Sequence, residues 1–402
     1  MRRVFMMILL LACIGGIMPV GAIAAVGAVK FKDVNDSHWA KATIEQAVAQ
    51  GYVNGYPDGT FRPSNTITRA EVASMLSRVT KMKPDTVSEA FADSDKHWSK
   101  EAVRKLVSLG FIKSADYPKG FEPDKAITRY ELMKWLASGL GESESSLKQA
   151  LVDTKDTLLP TPESFKGGIA KEQVPYIALV RGTGVVNGFP DGSFKPGEKA
   201  NRAEVLTMMM RYAQVEGTKA EGYRDLQEMI DVSLKGMNSV LIKEIKFSSK
   251  SLRFKDIENK NFDFKSSDIK LHRIILVDGR TSEYKGVYAP LFVGKSKNDN
   301  VGRVIAFTNM TFTFQGDKPY KGSMSIEVLA QIRDKSNMME LNRVDWENAN
   351  EKHIPTFPLV NTVQFVLPNK PVNIWVQNPM LVGSSYYVTS GNEKLFLTIM
   401  PQ

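Results

Sequence analysis

Three arginines, Arg69, Arg129 and Arg202, stand where a cation is electrostatically disfavoured. Each sits in the same short setting: Thr68-Arg69-Ala70-Glu71, Thr128-Arg129-Tyr130-Glu131 and Asn201-Arg202-Ala203-Glu204. Thr and Glu three positions apart form a capping box, the hydroxyl accepting from the Glu N–H and the carboxylate accepting from the Thr N–H. Asn201 with Glu204 is a close variant. Capping accounts for the Thr and the Glu but not for the arginine, because the first helical turn carries partial positive charge. A guanidinium beside free helix N–H groups is a good receptor for a carboxylate. An ion pair within the fold is the competing explanation.

The arginines belong to a recurring unit. Phe31-Lys32-Asp33-Val34, His38-Trp39, Gly51, Gly55-Tyr56-Pro57-Asp58-Gly59 and the first Thr-Arg-Ala-Glu follow in order. The series returns as Phe91-Ala92-Asp93, His97-Trp98, Gly110, Tyr117-Pro118-Lys119-Gly120 and the second arginine motif. A third copy runs from Val152-Asp153 through Gly188-Phe189-Pro190-Asp191-Gly192 to Asn201. Trp39 to Gly51 and Trp98 to Gly110 are both twelve positions. Each copy reads as helix, loop, helix. Ile44, Ala47 and Val48 mark the first helix, and Val72, Met75, Leu76 and Val79 the second, as a single apolar stripe. Two short helices cannot bury such a stripe alone, so three copies are expected to meet as a pseudo-threefold helical bundle. Copy three departs from the pattern: Glu172 replaces the tryptophan, and Thr157–Gly168 looks like an insertion. Sites drawing on copies one and two are therefore favoured.

These residues together resemble the S-layer homology domain, in triplicate over residues 28–217. The resemblance implies anchoring at the cell surface, in grooves between copies, on a pyruvylated secondary cell-wall polysaccharide attached to peptidoglycan. A pyruvyl ketal carries the carboxylate that Arg69, Arg129 and Arg202 could read. Trp39 and Trp98 offer an apolar face for a sugar ring, or fill the core at the mouth of the first helix. Asp33 and Asp93 accept from sugar hydroxyls, or cap the following helix. Gly55 and Gly188 let a ligand approach the backbone, or serve turn geometry alone.

The rest of the chain sets the context. Arg2 and Arg3, an apolar run from Val4 to about Val20 and Ala22-Ile23-Ala24 form the layout of a secretory signal peptide over residues 1–24. Cys13 is the only cysteine, so removal of the leader leaves no disulfide, thiol nucleophile or cysteine metal site; retained, it would be a lipidation candidate. The formal charge of +9 favours an anionic partner, and export argues against nucleic acid. Repeats are expected at 28–82, 88–142 and 150–217, then a mainly antiparallel β domain over 220–402, an α+β multidomain chain. Alternation at Met310–Phe314, Met324–Val328, Val363–Phe365 and Leu395–Ile399 supports the strands, and a sandwich or barrel is expected. The four histidines form no H-E-x-x-H pair and there is no G-x-S-x-G elbow, so no catalytic residue, metal or cofactor is assigned. The β half is read as a structural or binding module, with a wall-anchored hydrolase of glycan or peptide and a lattice-forming subunit as alternatives.

Overall fold

The computed structural model describes residues 30–243, with 88 and 90 left out, and parts of 245–399. Residues 1–29, 248–253, 294–301, 316–319, 322–341, 381–384 and 400–402 are outside the described residues, as are some isolated positions. The leader with Cys13 and the strand expected at Met324–Val328 therefore fall outside them.

The helix-loop-helix reading of each copy holds. The helices are α1 (Lys41–Ala49), α2 (Arg69–Val79), α3 (Lys100–Ser108), α4 (Arg129–Ser143), α5 (Ser145–Asp153), α6 (Glu163–Lys166), α7 (Val174–Gly182), α8 (Arg202–Val215) and α9 (Arg224–Lys235). α2, α4 and α8 begin at the three capping boxes, with both reciprocal bonds made in each. Their apolar stripes are buried: Val72, Leu76, Leu132, Leu136, Val205 and Met209 have no solvent exposure.

The two helices of a repeat make their main helix contacts with other repeats and not with each other. α1 packs on α8, α3 on α2 and α7 on α4, so each first helix lies on the second helix of the repeat before it. The loops close the same way. Thr68 bridges to Ala126, Thr128 to Lys199 and Thr66 to Asn201 in short β-bridges. The third repeat thus bonds back to the first, and the three copies form one hydrophobic unit. α5 and α9 are additions outside the repeat pattern. α9 lies so close to α7 that a Cβ on Gly182 would stand 2.6 Å from the Cα of Leu226.

The second half adds α10 (Phe254–Ile257), α11 (Ala289–Phe292) and α12 (Trp346–Lys352) to a set of strands. In chain order the first six are β1 (Ile245–Phe247), β2 (Asn261–Phe264), β3 (Ser267–Gly279), β4 (Arg303–Phe314), β5 (Tyr320–Lys321) and β6 (Asn342–Arg343). The others are β7 (Leu359–Val360), β8 (Val363–Val366), β9 (Val372–Met380), β10 (Ser385–Ser390) and β11 (Glu393–Ile399). Every described pairing between them is antiparallel. The largest sheet has five strands in the order β2-β3-β4-β9-β6, with two three-stranded sheets beside it.

The five-stranded sheet differs from the expected sandwich in what covers it. The run Ile274-Ile275-Leu276-Val277 is apolar without alternation because both faces are buried. Ile274 and Leu276 join Met237, Ile242, Phe254 and Ile257 in one cluster. Ile275 and Val277 join Phe307, Trp375 and the helical core on the other side. That second face rests on the segment interrupting repeat three: Phe165 meets the Trp375 ring at 6.0 Å between centroids. The buried Tyr288 hydroxyl also donates to the Leu158 carbonyl at 2.8 Å. The two halves share one core.

Glu228 of α9 lies at this junction with no exposure. Its Oε2 accepts from Asn238 Nδ2 at 3.0 Å and the Val287 N–H at 3.2 Å, whereas Oε1 has no hydrogen bond among the described residues and only the Arg224 Nε, 3.6 Å away, as a charged neighbour. Burial pushes its carboxyl from 4.5 up to about 7. A carboxyl raised in the folded state contributes fully below its unfolded value and loses stability as pH rises. Between pH 4.5 and about 7 the loss should reach about 3 kcal/mol. Glu228→Gln is therefore expected to unfold at higher urea than the wild type at pH 8, with the gap closing or reversing near pH 4.5. Parallel urea titrations at the two pH values check this; a gap independent of pH would mean that the buried carboxyl is not the cause.

Candidate functional site

The N–H groups at the starts of α2, α4 and α8 decide what these helix ends can hold. Arg69 and Ala70 donate their backbone N–H groups to the carbonyls of Lys125 and Pro123, at 2.9 Å each. Arg129 and Tyr130 donate to Glu198 and Pro196, at 2.9 and 3.0 Å. Arg202 and Ala203 donate to Asn65 and Pro63, at 2.9 and 3.0 Å. The third N–H of each helix is taken by its cap. The free donors expected from sequence are thus occupied by the next repeat's turn, and only the arginine side chains remain to meet an anion.

The guanidinium groups follow the same cyclic rule. Arg69 is 8% exposed; its Nε meets Glu131 at 2.6 Å and its Nη1 meets Glu122 at 3.2 Å. Nη1 also donates to the Phe121 carbonyl at 2.7 Å. Arg129, 3% exposed, pairs with Glu204 at 3.1 Å and donates to the Phe194 carbonyl at 2.8 Å. Arg202 reaches Glu71 only at 4.0 Å and donates through Nη2 to the Asn54 carbonyl at 2.8 Å. Its buried Nε has no hydrogen-bond partner among the described residues. Burial draws the guanidinium groups of Arg129 and Arg202 below their usual value, with the neighbouring carboxylates opposing. Each glutamate therefore has two tasks. One oxygen completes the capping box of its own helix, and the other faces the arginine of the preceding repeat. This explains a cation in the first turn: its partner lies on another copy.

Each arginine also lies against an aromatic ring of the Tyr/Phe-Pro turn. Arg69 stands 4.9 Å from the Tyr117 centroid, Arg129 4.4 Å from Phe189 and Arg202 5.2 Å from Tyr56. Arg62 covers Tyr56 at 4.0 Å and Lys195 covers Phe189 at 4.5 Å, so two of these rings carry a second cation. At Tyr117 the local balance is acidic instead, with Glu131 accepting from its hydroxyl at 2.8 Å.

Asp33 and Asp93 do not cap the helix that follows them, since neither α1 nor α3 has a side-chain cap. Both oxygens of Asp33 accept from the N–H groups of Phe61 and Arg62, at 2.8 and 2.7 Å. Asp93 does the same for Phe121 and Glu122, at 3.0 and 2.7 Å. Arg62 and Glu122 have φ of 58° and 49°, a left-handed conformation that costs about 1–2 kcal/mol per ordinary residue. The carboxylate holds each turn in place. In copy three Lys195, with φ of 48°, needs the same clamp. Glu163 supplies it, accepting from Phe194 and Lys195 at 2.9 Å each. The counterpart of Asp33 is therefore Glu163 and not Asp153, which ends α5 and accepts from Gln149. The repeat spacing hid this, because the insertion moves the acid next to the turn and its longer side chain spans the difference.

Trp39 and Trp98 are each 64% exposed, which excludes the core-filling alternative. His38 and His97 stand behind them, with ring centroids 5.8 and 5.3 Å away. Gly55 and Gly188 face the chain itself. A Cβ on Gly55 would lie 2.1 Å from the Phe31 ring, and one on Gly188 2.9 Å from the Ser193 carbonyl, at a φ of +78°. No group of three His, Cys, Asp or Glu able to hold a metal occurs among the described residues. Nor is any helix among them long and apolar enough to cross a membrane.

A family model of the S-layer homology domain matches residues 30–73, 90–133 and 167–206. The chain is 41% identical over 119 residues to cell surface glycoprotein 1 of Acetivibrio thermocellus, covering 27% of this chain and 5% of that protein. It is 39% identical over 109 residues to the cellulosome-anchoring protein of the same organism, covering 26% and 24%. It is 29% identical over 188 residues to the amylopullulanase of Thermoanaerobacterium thermosulfurigenes, covering 46% and 10%. The chain thus spans a quarter or less of the length of these relatives. It carries three S-layer homology domains and is a secreted protein of the cell surface.

The unequal arginine pairs yield a direct expectation. A double-mutant cycle on Arg69→Met and Glu131→Gln should return a coupling of about 2 kcal/mol, since removing one partner strands a buried charge. The same cycle on Arg202→Met and Glu71→Gln should return under about 1 kcal/mol, as for loosely held pairs. Equilibrium urea unfolding of the four single and two double variants measures both; equal couplings would remove the distinction between the grooves.

Proposed function

We propose that the three S-layer homology domains hold this cell-surface protein non-covalently on an anionic, carboxylate-bearing cell-wall polysaccharide attached to peptidoglycan. Pyruvyl ketals are the carboxylates expected. The ligand lies in grooves between successive repeats of a pseudo-threefold bundle, and the grooves are unequal. Arg202 carries this reading: a buried guanidinium with an unpartnered Nε, a carboxylate only at 4.0 Å, and Tyr56 and Arg62 beside it. A ligand carboxylate supplies the missing acceptor through a charge-assisted bond. Arg69, already met by two carboxylates, has least to offer a further anion. The groove of choice therefore joins the cation of repeat three to the aromatic turn of repeat one, which revises the preference for copies one and two. Exposed Trp39 and Trp98 serve as faces for sugar rings.

The second half is taken as a structural or binding module docked on repeat three. A wall-anchored hydrolase is the rival reading, favoured by the amylopullulanase relative. Assembly into a lattice is the third. Turnover of wall glycan or peptide by the full chain, or concentration-dependent assembly, would support these in turn.

The anchor is tested by co-sedimentation with native sacculi and with sacculi stripped of their acid-labile polymer. The wild type is expected to bind native sacculi only. Arg202→Gln should weaken binding more than tenfold, and Trp39→Ala severalfold. Thermal unfolding run beside it confirms that both variants are folded. Equal sedimentation with stripped sacculi, or an Arg202→Gln variant that binds like the wild type, would overturn the reading.

A further inference from the structure

The sheet face that meets the helical half is largely apolar. Ile275, Val277, Ile305, Phe307 and Trp375 on that face belong to the shared core. Arg273 and Asn309 interrupt them. The register sets Arg273 opposite Asn309 and Asn309 opposite Trp375, so guanidinium, amide and indole start from one row across β3, β4 and β9. A register shift between Leu271 and Arg273 places them there. Before it Ile269 and Leu271 enter the outer cluster, and after it Ile274 and Leu276 do. The extra residue, His272, thus turns Arg273 to the helical side, the kind of re-aiming for which bulges are used beside binding sites.

This row walls a cavity of about 430 Å³ whose opposite side includes Leu159, Ser164 and Phe165 from the segment interrupting repeat three. That volume falls within the roughly 300–1,000 Å³ usual for small-molecule sites. Arg273 is partly buried and has no hydrogen bond or ion pair among the described residues. Arg69, Arg129 and Arg202 all have a carbonyl partner. Asn309 donates to Asn373 Oδ1 at 2.8 Å and to the Ile374 carbonyl at 3.1 Å. Its own oxygen is left as an acceptor and the Asn373 amide as a donor. Glu163 also lines the cavity, but its carboxylate is occupied by Thr161, Phe194 and Lys195. A cation facing an apolar junction carries a desolvation penalty, and here only charges beyond ion-pair distance, Glu258 and Asp156 among them, oppose it.

We propose that this cavity is a second binding site, separate from the grooves between repeats, for a small ligand carrying a carboxylate. The carboxylate pairs with Arg273. The body of the ligand, one or two sugar or amino-acid units, lies between Phe165 and Trp375, with its polar groups on Asn309 and Asn373. Two sources share this chemistry: an acidic sugar of a glycan and the C-terminal end of a short peptide.

Calorimetric titration of the full chain with glucuronate, with N-acetyl-alanyl-alanine and with glucose tests the site. At least one of the two carboxylates is expected to bind saturably, at least tenfold more tightly than glucose, and Arg273→Gln should weaken it at least tenfold. Preference for glucuronate assigns the site to acidic glycan, and preference for the dipeptide assigns it to peptide ends. Absence of binding by both carboxylates, or equal binding by Arg273→Gln, overturns the proposal. Thermal unfolding without ligand supplies a second reading. Arg273→Met should melt at or above the wild-type temperature, because it loses no partner; a marked fall would make Arg273 a structural residue and overturn the site. Sedimentation of Arg273→Gln with native sacculi should match the wild type, which separates failure here from failure of the anchor.

Discussion

The helical half depends on one requirement: the first N–H groups of a helix need acceptors, and here two of them are found on another repeat. Pro123, Lys125, Pro196, Glu198, Pro63 and Asn65 provide those carbonyls in a closed order. Buried backbone donors left without partners would each cost about 1–3 kcal/mol, so the turns and the helix starts must form together. The first helices obey the same order by packing on the preceding repeat. The folding unit is accordingly the set of three copies, since no single copy contains the acceptors for the first two N–H groups of its second helix.

The chemistry of the grooves follows from that closure. With the helix donors used internally, the grooves are distinguished by their side chains. The guanidinium of Arg69 is held by two carboxylates and a carbonyl, that of Arg129 by one of each, and that of Arg202 by a carbonyl and a distant carboxylate. The motif is nearly the same in all three copies, yet the residues around it grade the arginines from satisfied to under-satisfied. A repeat array can thereby carry fully and incompletely paired versions of one motif, because each arginine is paired by its neighbour.

The departure of copy three from the repeat pattern has a structural use. Its extra segment brings Glu163 to the turn that Asp33 and Asp93 clamp elsewhere, and also presents Leu158, Leu159 and Phe165 to the sheet. The second half consequently shares the core of the first instead of hanging from a linker, with Glu228 and Tyr288 sealed at the contact. The polar row of Arg273 and Asn309 lies in that contact.

What the sequence determined by itself is local. Capping boxes, the 3.6-residue stripes of α2, α4 and α8, the glycine and proline turns and the alternation of Met310–Phe314 were legible because each depends on residues a few positions apart. Tertiary structure alone decided the rest. Asp33 bonds to residues 28 and 29 positions away, and Arg202 bonds to a carbonyl 148 positions away, so spacing within a copy could not reveal either partner. The exposure of Trp39 and Trp98 likewise rests on which neighbours leave them uncovered. Arg273 faces the helical half because one bulge reverses the parity of its strand, and a period of two read along the chain shows nothing of such a reversal.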